Sequence, residues 1–283
     1  MTATKPPIPL RNALDIAELM RTDPCDRTLV LGSFWPYSRS SFESRLVKAF
    51  KGCCPVKDFE PHISALCRFY TNLVVESLQG EKIDWVLRVL GSAEKEAESA
   101  RPQSLLVDMI CSVTGARNAT DFFFKSQARP PMRVVDRLAG SEALKARLGY
   151  AVQDLFARPR RLGGTVLVID DIANTGASMR VYASALKGLA GASRVIAVNL
   201  AATRFASGKD GRGMLKLDTS GLADHPTLSE VWTDTAGLFH ARRDCPSIAK
   251  PASCEVRFMA ERAAKPCPDC VGQGPRKRKW WPF

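Results

Sequence analysis

Residues 166–178 read VLVIDDIANTGAS. Four apolar residues run into two aspartates and then into a turn of small side chains. An apolar run closed by a turn reads as a buried strand, here TVLVID at 165–170. SMRVYASALKGLAGAS at 178–193 has helical periodicity and a glycine-rich exit, and RVIAVNLAAT at 194–203 is strand-like again. Strand, helix and strand in this order form a βαβ unit, which requires a parallel sheet. The expected fold class is therefore α/β: a twisted, mainly parallel sheet flanked by helices, with a small cysteine-bearing module near the C-terminus.

Open parallel sheets take ligands at the C-terminal ends of their strands, and Asp170 and Asp171 fall there. Thr175, Gly176, Ala177 and Ser178 then open a helix, whose first N–H groups point outward and favour a phosphate. Gly176 permits close backbone approach, and the hydroxyls of Thr175 and Ser178 add donors. The two carboxylates stand too near the phosphate to bind it and suit sugar hydroxyls instead. The expected ligand is a 5′-phosphosugar, with its phosphate on the turn Ala173, Asn174, Thr175, Gly176, Ala177 and Ser178. Its diol would lie on Asp170 and Asp171. The alternative is an acidic helix cap with no ligand.

The stretch DDIANTGAS resembles the phosphoribosyl pyrophosphate (PRPP) motif of type I phosphoribosyltransferases. That motif is an apolar strand, two acids, three variable residues and Thr-Gly-x-Thr/Ser. It matches at Asp170, Asp171, Thr175, Gly176 and Ser178. IDWVLRVLGSAE at 83–94 falls where the family has its first core strand and pyrophosphate loop. LVKAFKG at 46–52 and KARLGYAVQDLF at 145–156 are similar to segments of the ComF-like branch, so the resemblance spans roughly 28–203. It implies PRPP as ligand, Mg²⁺ carried with it, and roles for Asp170 and Asp171 in phosphoribosyl transfer. Such a glycosyltransferase works by positioning and electrostatic stabilisation and needs no nucleophilic side chain.

Two features depart from the family pattern. RVLGS stands where ComF-like proteins carry Pro-Val-Pro-Leu. Asn174 stands where some purine enzymes of the superfamily have an aspartate, and an amide is no general base. No base-binding hood is legible. Lys125, in FFFKS, reads as a solvated lysine, with a place on an active-site loop as the alternative.

Nine cysteines and a formal charge of +12, from 41 basic and 29 acidic residues, complete the picture. Hydrophobic residues make up 45%, which suits a soluble globular chain with an ample core. No apolar run is long enough to span a bilayer, and MTATKPPIPLRNALDIAELM lacks a signal-type stretch, so the expected location is the cytoplasm. Metal is then a better use of clustered cysteines than disulfides. His240, Cys245, Cys267 and Cys270 give a His-x-x-x-x-Cys…Cys-x-x-Cys pattern suited to structural Zn²⁺, with Cys254 in reserve. Cys53, Cys54, His62 and Cys67 form a looser group that reads as core.

The expected organisation is an extension at 1–27, a phosphoribosyltransferase-like domain at 28–210, a zinc module at 211–274 and a basic-aromatic tail at 275–283. A basic body and the tail RKRKWWPF suit anionic partners, whether the ligand's phosphates or nucleic acid. Two functions stay open. One is a Mg²⁺-dependent phosphoribosyltransferase in nucleotide metabolism. The other is a non-catalytic adaptor of ComF type that binds nucleic acid or protein.

Overall fold

The computed structural model describes residues 6–34, 44, 46–47, 50–51, 60–130, 140–203, 230–257, 260 and 264–271. Its centre is a six-stranded sheet of parallel pairs. The strands are β2 (Arg27–Val30), β3 (Ser33–Phe34), β4 (Trp85–Arg88), β5 (Arg117–Asn118), β8 (Thr165–Ala173) and β9 (Arg194–Thr203). The order is β2-β9-β8-β4-β5, with β3 also on β9. The longest strands, β8 and β9, lie side by side from Thr165↔Arg194 to Ala173↔Ala202.

Alternation along these strands builds one core on each face. Leu167, Ile169, Ile196 and Val198 face α3 (Glu60–Leu78) and α4 (Pro102–Thr114), where Tyr70, Val74, Leu106 and Ile110 are buried. Val166, Val168, Val195 and Ala197 face α5 (Gly140–Val152) and α6 (Ala177–Gly188), where Leu148, Val152, Val181 and Leu186 are buried. Each fully buried aliphatic side chain contributes roughly 1.5–3 kcal/mol relative to exposure. Helix α4 shows its boundaries plainly in sequence. Pro102 sits in its first turn, and Gly115 closes it at φ +73°.

Residues 6–26, read from sequence as an extension, are built into this second core. Ile8–Pro9 (β1) pairs with β7 (Leu155–Ala157), which also pairs with β6 (Phe123–Lys125), giving a small antiparallel sheet. Leu10 from α1 (Leu10–Ala13) and Leu19 from α2 (Ile16–Arg21) are buried with Phe122 and Leu148. Residues 11–21 read from their spacing as one helix but fall in two, because Asp15 starts a new one by accepting from the Ala17 N–H.

Other boundaries shift for identifiable reasons. TLVLGSF at 28–34 reads from sequence as one short strand and divides into β2 and β3. DFFFKS divides into a 3₁₀ turn, Thr120–Phe122, and β6. Residues 141–156 read from sequence as a helix, and the helix stops at Val152, since Leu155–Ala157 is claimed by the antiparallel pairing. Strand β8 runs three residues beyond Asp170 because its ladder with β9 continues. Within LVKAFKG, Leu46, Val47 and Phe50 are buried, and Gly52 lies outside the described residues.

A separate four-stranded sheet, in the order β12-β10-β11-β13, forms the C-terminal module. Its strands are β10 (Glu230–Thr233), β11 (Leu238–His240), β12 (Ser253–Val256) and β13 (Lys265–Pro266). The segment 204–229, the tail RKRKWWPF, and Cys53 and Cys54 lie outside the described residues. Cys67 is fully buried among apolar residues, as a core cysteine would be. No described helix is long and apolar enough to cross a membrane.

Candidate functional site

The two aspartates stand on β8 with strands on either side, and successive strand residues point to opposite faces. Asp171 lies toward α4. Its carboxylate accepts from Lys51 Nζ at 2.9 Å, from the Ile172 N–H at 2.6 Å and from Gln103 Nε2 at 3.4 Å. Lys51 thus neutralises one of the two acids. Asp170 accepts from the Asp171 N–H at 2.9 Å and has no ion-pair partner among the described residues. Burial, and then the neighbouring charge of Asp171, push its carboxyl from the ordinary 3.8 up to about 7.

Beyond Ala173 the chain turns sharply. Gly176, at φ +75° and ψ 5°, is the residue before α6, and no side chain caps the helix there. The left-handed conformation favours glycine, and the absent Cβ leaves the first turn of α6 open. Ala177 is buried in the core beneath, which fixes the helix start. With its amide oriented to satisfy both groups, Asn174 accepts from both terminal guanidinium nitrogens of Arg147 at 3.1 Å. The amide therefore turns toward α5.

Asp170, Asp171, Ala173, Asn174, Thr175, Gly176, Ala177 and Ser178 are thereby brought to one strand end, one turn and one helix start. Lys51, Gln103 and Arg147 join them from far away in sequence. Lys51 lay within the ComF-like LVKAFKG stretch, but nothing in sequence paired it with Asp171.

Lys125 is a correction. It is buried at 4% exposure rather than solvated, and its Nζ donates to the carbonyls of Gly91 (2.6 Å) and Leu90 (3.4 Å). Burial lowers its pKa to about 8. It thus braces the loop after β4, which lies beside the aspartates because Arg88 is opposite Ile169.

The second cluster is in the C-terminal module. His240, Cys245, Cys267 and Cys270 place one ligand atom each within 4.8 Å of the others. Cys245 Sγ and Cys267 Sγ are 3.9 Å apart, and Cys270 Sγ is 3.7 Å from His240 Nδ1. Tetrahedral thiolates about 2.3 Å from a zinc ion stand roughly 3.8 Å apart, so the spacing fits. Asp234 Oδ2 holds His240 Nε2 at 2.8 Å, which leaves Nδ1 for the cluster. Asp234 was missed in sequence; it sits in the β10–β11 turn, where it also accepts from the N–H groups of Ala236 and Leu238. Cys254 lies opposite Trp232 on β12, outside the four.

The raised pKa of Asp170 has a defined sign. Between about pH 4 and 7 the folded state keeps a proton that the unfolded chain gives up, so stability falls as pH rises through that window. Asp170→Asn removes this penalty. Its melting temperature is expected to exceed that of the unsubstituted protein by several degrees at pH 8 and to match it near pH 4. Melting curves at the two pH values check this, and an equal shift at both contradicts it.

No family model matches the chain, and no curated protein does. Among solved structures, a crystal structure of adenine phosphoribosyltransferase is similar to it, at 15% identity and a TM-score of 0.32. The match covers 55% of this chain and 79% of that one. A TM-score this low says nothing about activity.

Proposed function

We propose that the chain binds the 5-phosphoribosyl group of PRPP or a similar phosphosugar, in the manner of a type I phosphoribosyltransferase. One observation carries the reading. The αL turn at Gly176 opens helix α6 five residues beyond a pair of adjacent carboxylates, at the C-terminal end of a central parallel strand. The helix start supplies N–H groups and a favourable dipole for the 5-phosphate. Thr175 and Ser178 supply hydroxyls. Asp170, with no cation of its own among the described residues, accepts from the ribose diol, and Asp171 adds a second acceptor held by Lys51.

If transfer occurs, the chain's part is to orient the sugar and to face the positive charge that develops at C1 with these two acids. Mg²⁺, where PRPP carries it, neutralises diphosphate and suits oxygen donors such as Asp170 and Asp171. The module contributes stability: His240, Cys245, Cys267 and Cys270 would hold Zn²⁺ in a closed structural site, with Asp234 orienting the imidazole.

Calorimetric titration of PRPP with Mg²⁺ is expected to give saturable binding to the unsubstituted protein and none to a folded Asp170→Asn/Asp171→Asn variant. Equal binding by both would remove the aspartates from the site. For the module, metal analysis is expected to find about one zinc per chain, lost in Cys267→Ser/Cys270→Ser. In Asp234→Asn, zinc affinity should weaken by roughly 10–100-fold. Zinc retained in the double serine variant contradicts the assignment.

A further inference from the structure

We infer that the chain's own Glu94 occupies the anion position in the loop after β4. The site then takes 5-phosphoribosyl ligands lacking a C1 diphosphate, such as ribose 5-phosphate. This rests on the phosphoribosyl reading above and narrows its ligand.

The loop lies where a diphosphate leaving C1 would be received. Arg88 is opposite Ile169, and the Val89 N–H donates to Ile169 O at 2.9 Å, one residue before Asp170. A loop that grips diphosphate needs free N–H groups and an accessible cation. Here the first N–H groups of the loop and the Arg88 guanidinium are already used. The Leu90 N–H donates to the Tyr182 hydroxyl at 3.0 Å. The Gly91 N–H donates to Glu94 Oε2 at 2.5 Å, and the Glu98 N–H to Glu94 Oε1 at 3.1 Å. The Arg88 guanidinium meets the same carboxylate through two nitrogens, at 2.8 and 2.5 Å. Its Nε is spent on Ser104 Oγ at 2.9 Å. Of the other cations nearby, Lys125 faces the Leu90 and Gly91 carbonyls, and Arg101 Nε pairs with Glu98 at 2.9 Å while standing 3.6 Å from Glu94 Oε1.

A guanidinium fork and two backbone N–H groups converging on one carboxylate make a complete anion site. The side chains of Arg88 and Glu94 are 2% and 1% exposed, so the pair is shut away from solvent. Burial alone would raise the Glu94 pKa, but the Arg88 hydrogen bonds and charge outweigh it and hold the carboxyl below its ordinary value. Gly91 is part of the arrangement, because a Cβ there would stand 2.8 Å from Glu94 Oε2 and push the carboxylate off the N–H. An incoming diphosphate would have to expel a buried, bidentately held carboxylate or sit against its charge.

The test compares three ligands by calorimetry on the full chain, with Mg²⁺ present: ribose 5-phosphate, PRPP and inorganic pyrophosphate. Ribose 5-phosphate is expected to bind at least as tightly as PRPP, and pyrophosphate not to bind alongside saturating ribose 5-phosphate. PRPP binding tighter than ribose 5-phosphate by about tenfold or more overturns the inference and leaves the phosphoribosyl reading standing. Failure of all three to bind overturns both. In Glu94→Gln, which keeps the shape and removes the charge, PRPP affinity is expected to rise about tenfold with ribose 5-phosphate unchanged. A folded variant with no such gain also contradicts it, and if the variant does not fold the comparison on the unsubstituted protein decides.

Discussion

Asp170 and Asp171 stand next to each other at the end of a buried strand, and the structure around them deals with their repulsion. Burial first, and then the neighbouring charge of Asp171, disfavour ionisation of Asp170. The fold answers on one side only. Lys51 pairs with Asp171, while Asp170 is left with a raised pKa and no cation among the described residues. Leaving an acid in this state costs stability, and such costs collect where a ligand will supply what is missing. The sheet order, the extension of β8 beyond Asp170 and the αL turn at Gly176 all serve to hold that pair beside an open helix start.

The neighbouring loop shows the opposite treatment of charge. Arg88 and Glu94 are buried together, with each hydrogen-bonding direction met by backbone or side chain. Removing one member of such a pair strands the other, whereas the intact pair is close to neutral in net stability. Its consequence is geometric: the anion position in the loop is filled from within the chain. One end of the site is therefore unsatisfied and the other is self-satisfied. On the proposed reading, that asymmetry suits a ligand with phosphate at C5 and no diphosphate at C1.

Local patterns were the legible part of the sequence. The period-2 and period-3.6 stretches around 165–203 gave the βαβ unit, and β9 spans the expected 194–203. The turn after β8 and the His240, Cys245, Cys267 and Cys270 cluster follow from local spacing, so their placement could be read directly. What escaped were contacts made across the chain. Lys51 to Asp171 spans 120 residues, β1 to β7 joins the chain's start to residue 157, and Lys125 reaches back to Gly91. No local periodicity encodes such pairings. Lys125 was misjudged for the same reason, since lysines are rarely buried and the carbonyls that receive it are distant in sequence. Asp234 escaped because a hairpin turn already accounts for an aspartate there.

The most direct test of where the phosphate sits is a ¹H–¹⁵N NMR titration with ribose 5-phosphate. The account predicts that the largest amide shifts fall on Thr175 to Met179 and on Asp170 and Asp171, with those of Leu90 and Gly91 small. Shifts centred on the β4 loop, or scattered over the basic surface with the Gly176 turn unmoved, would contradict it.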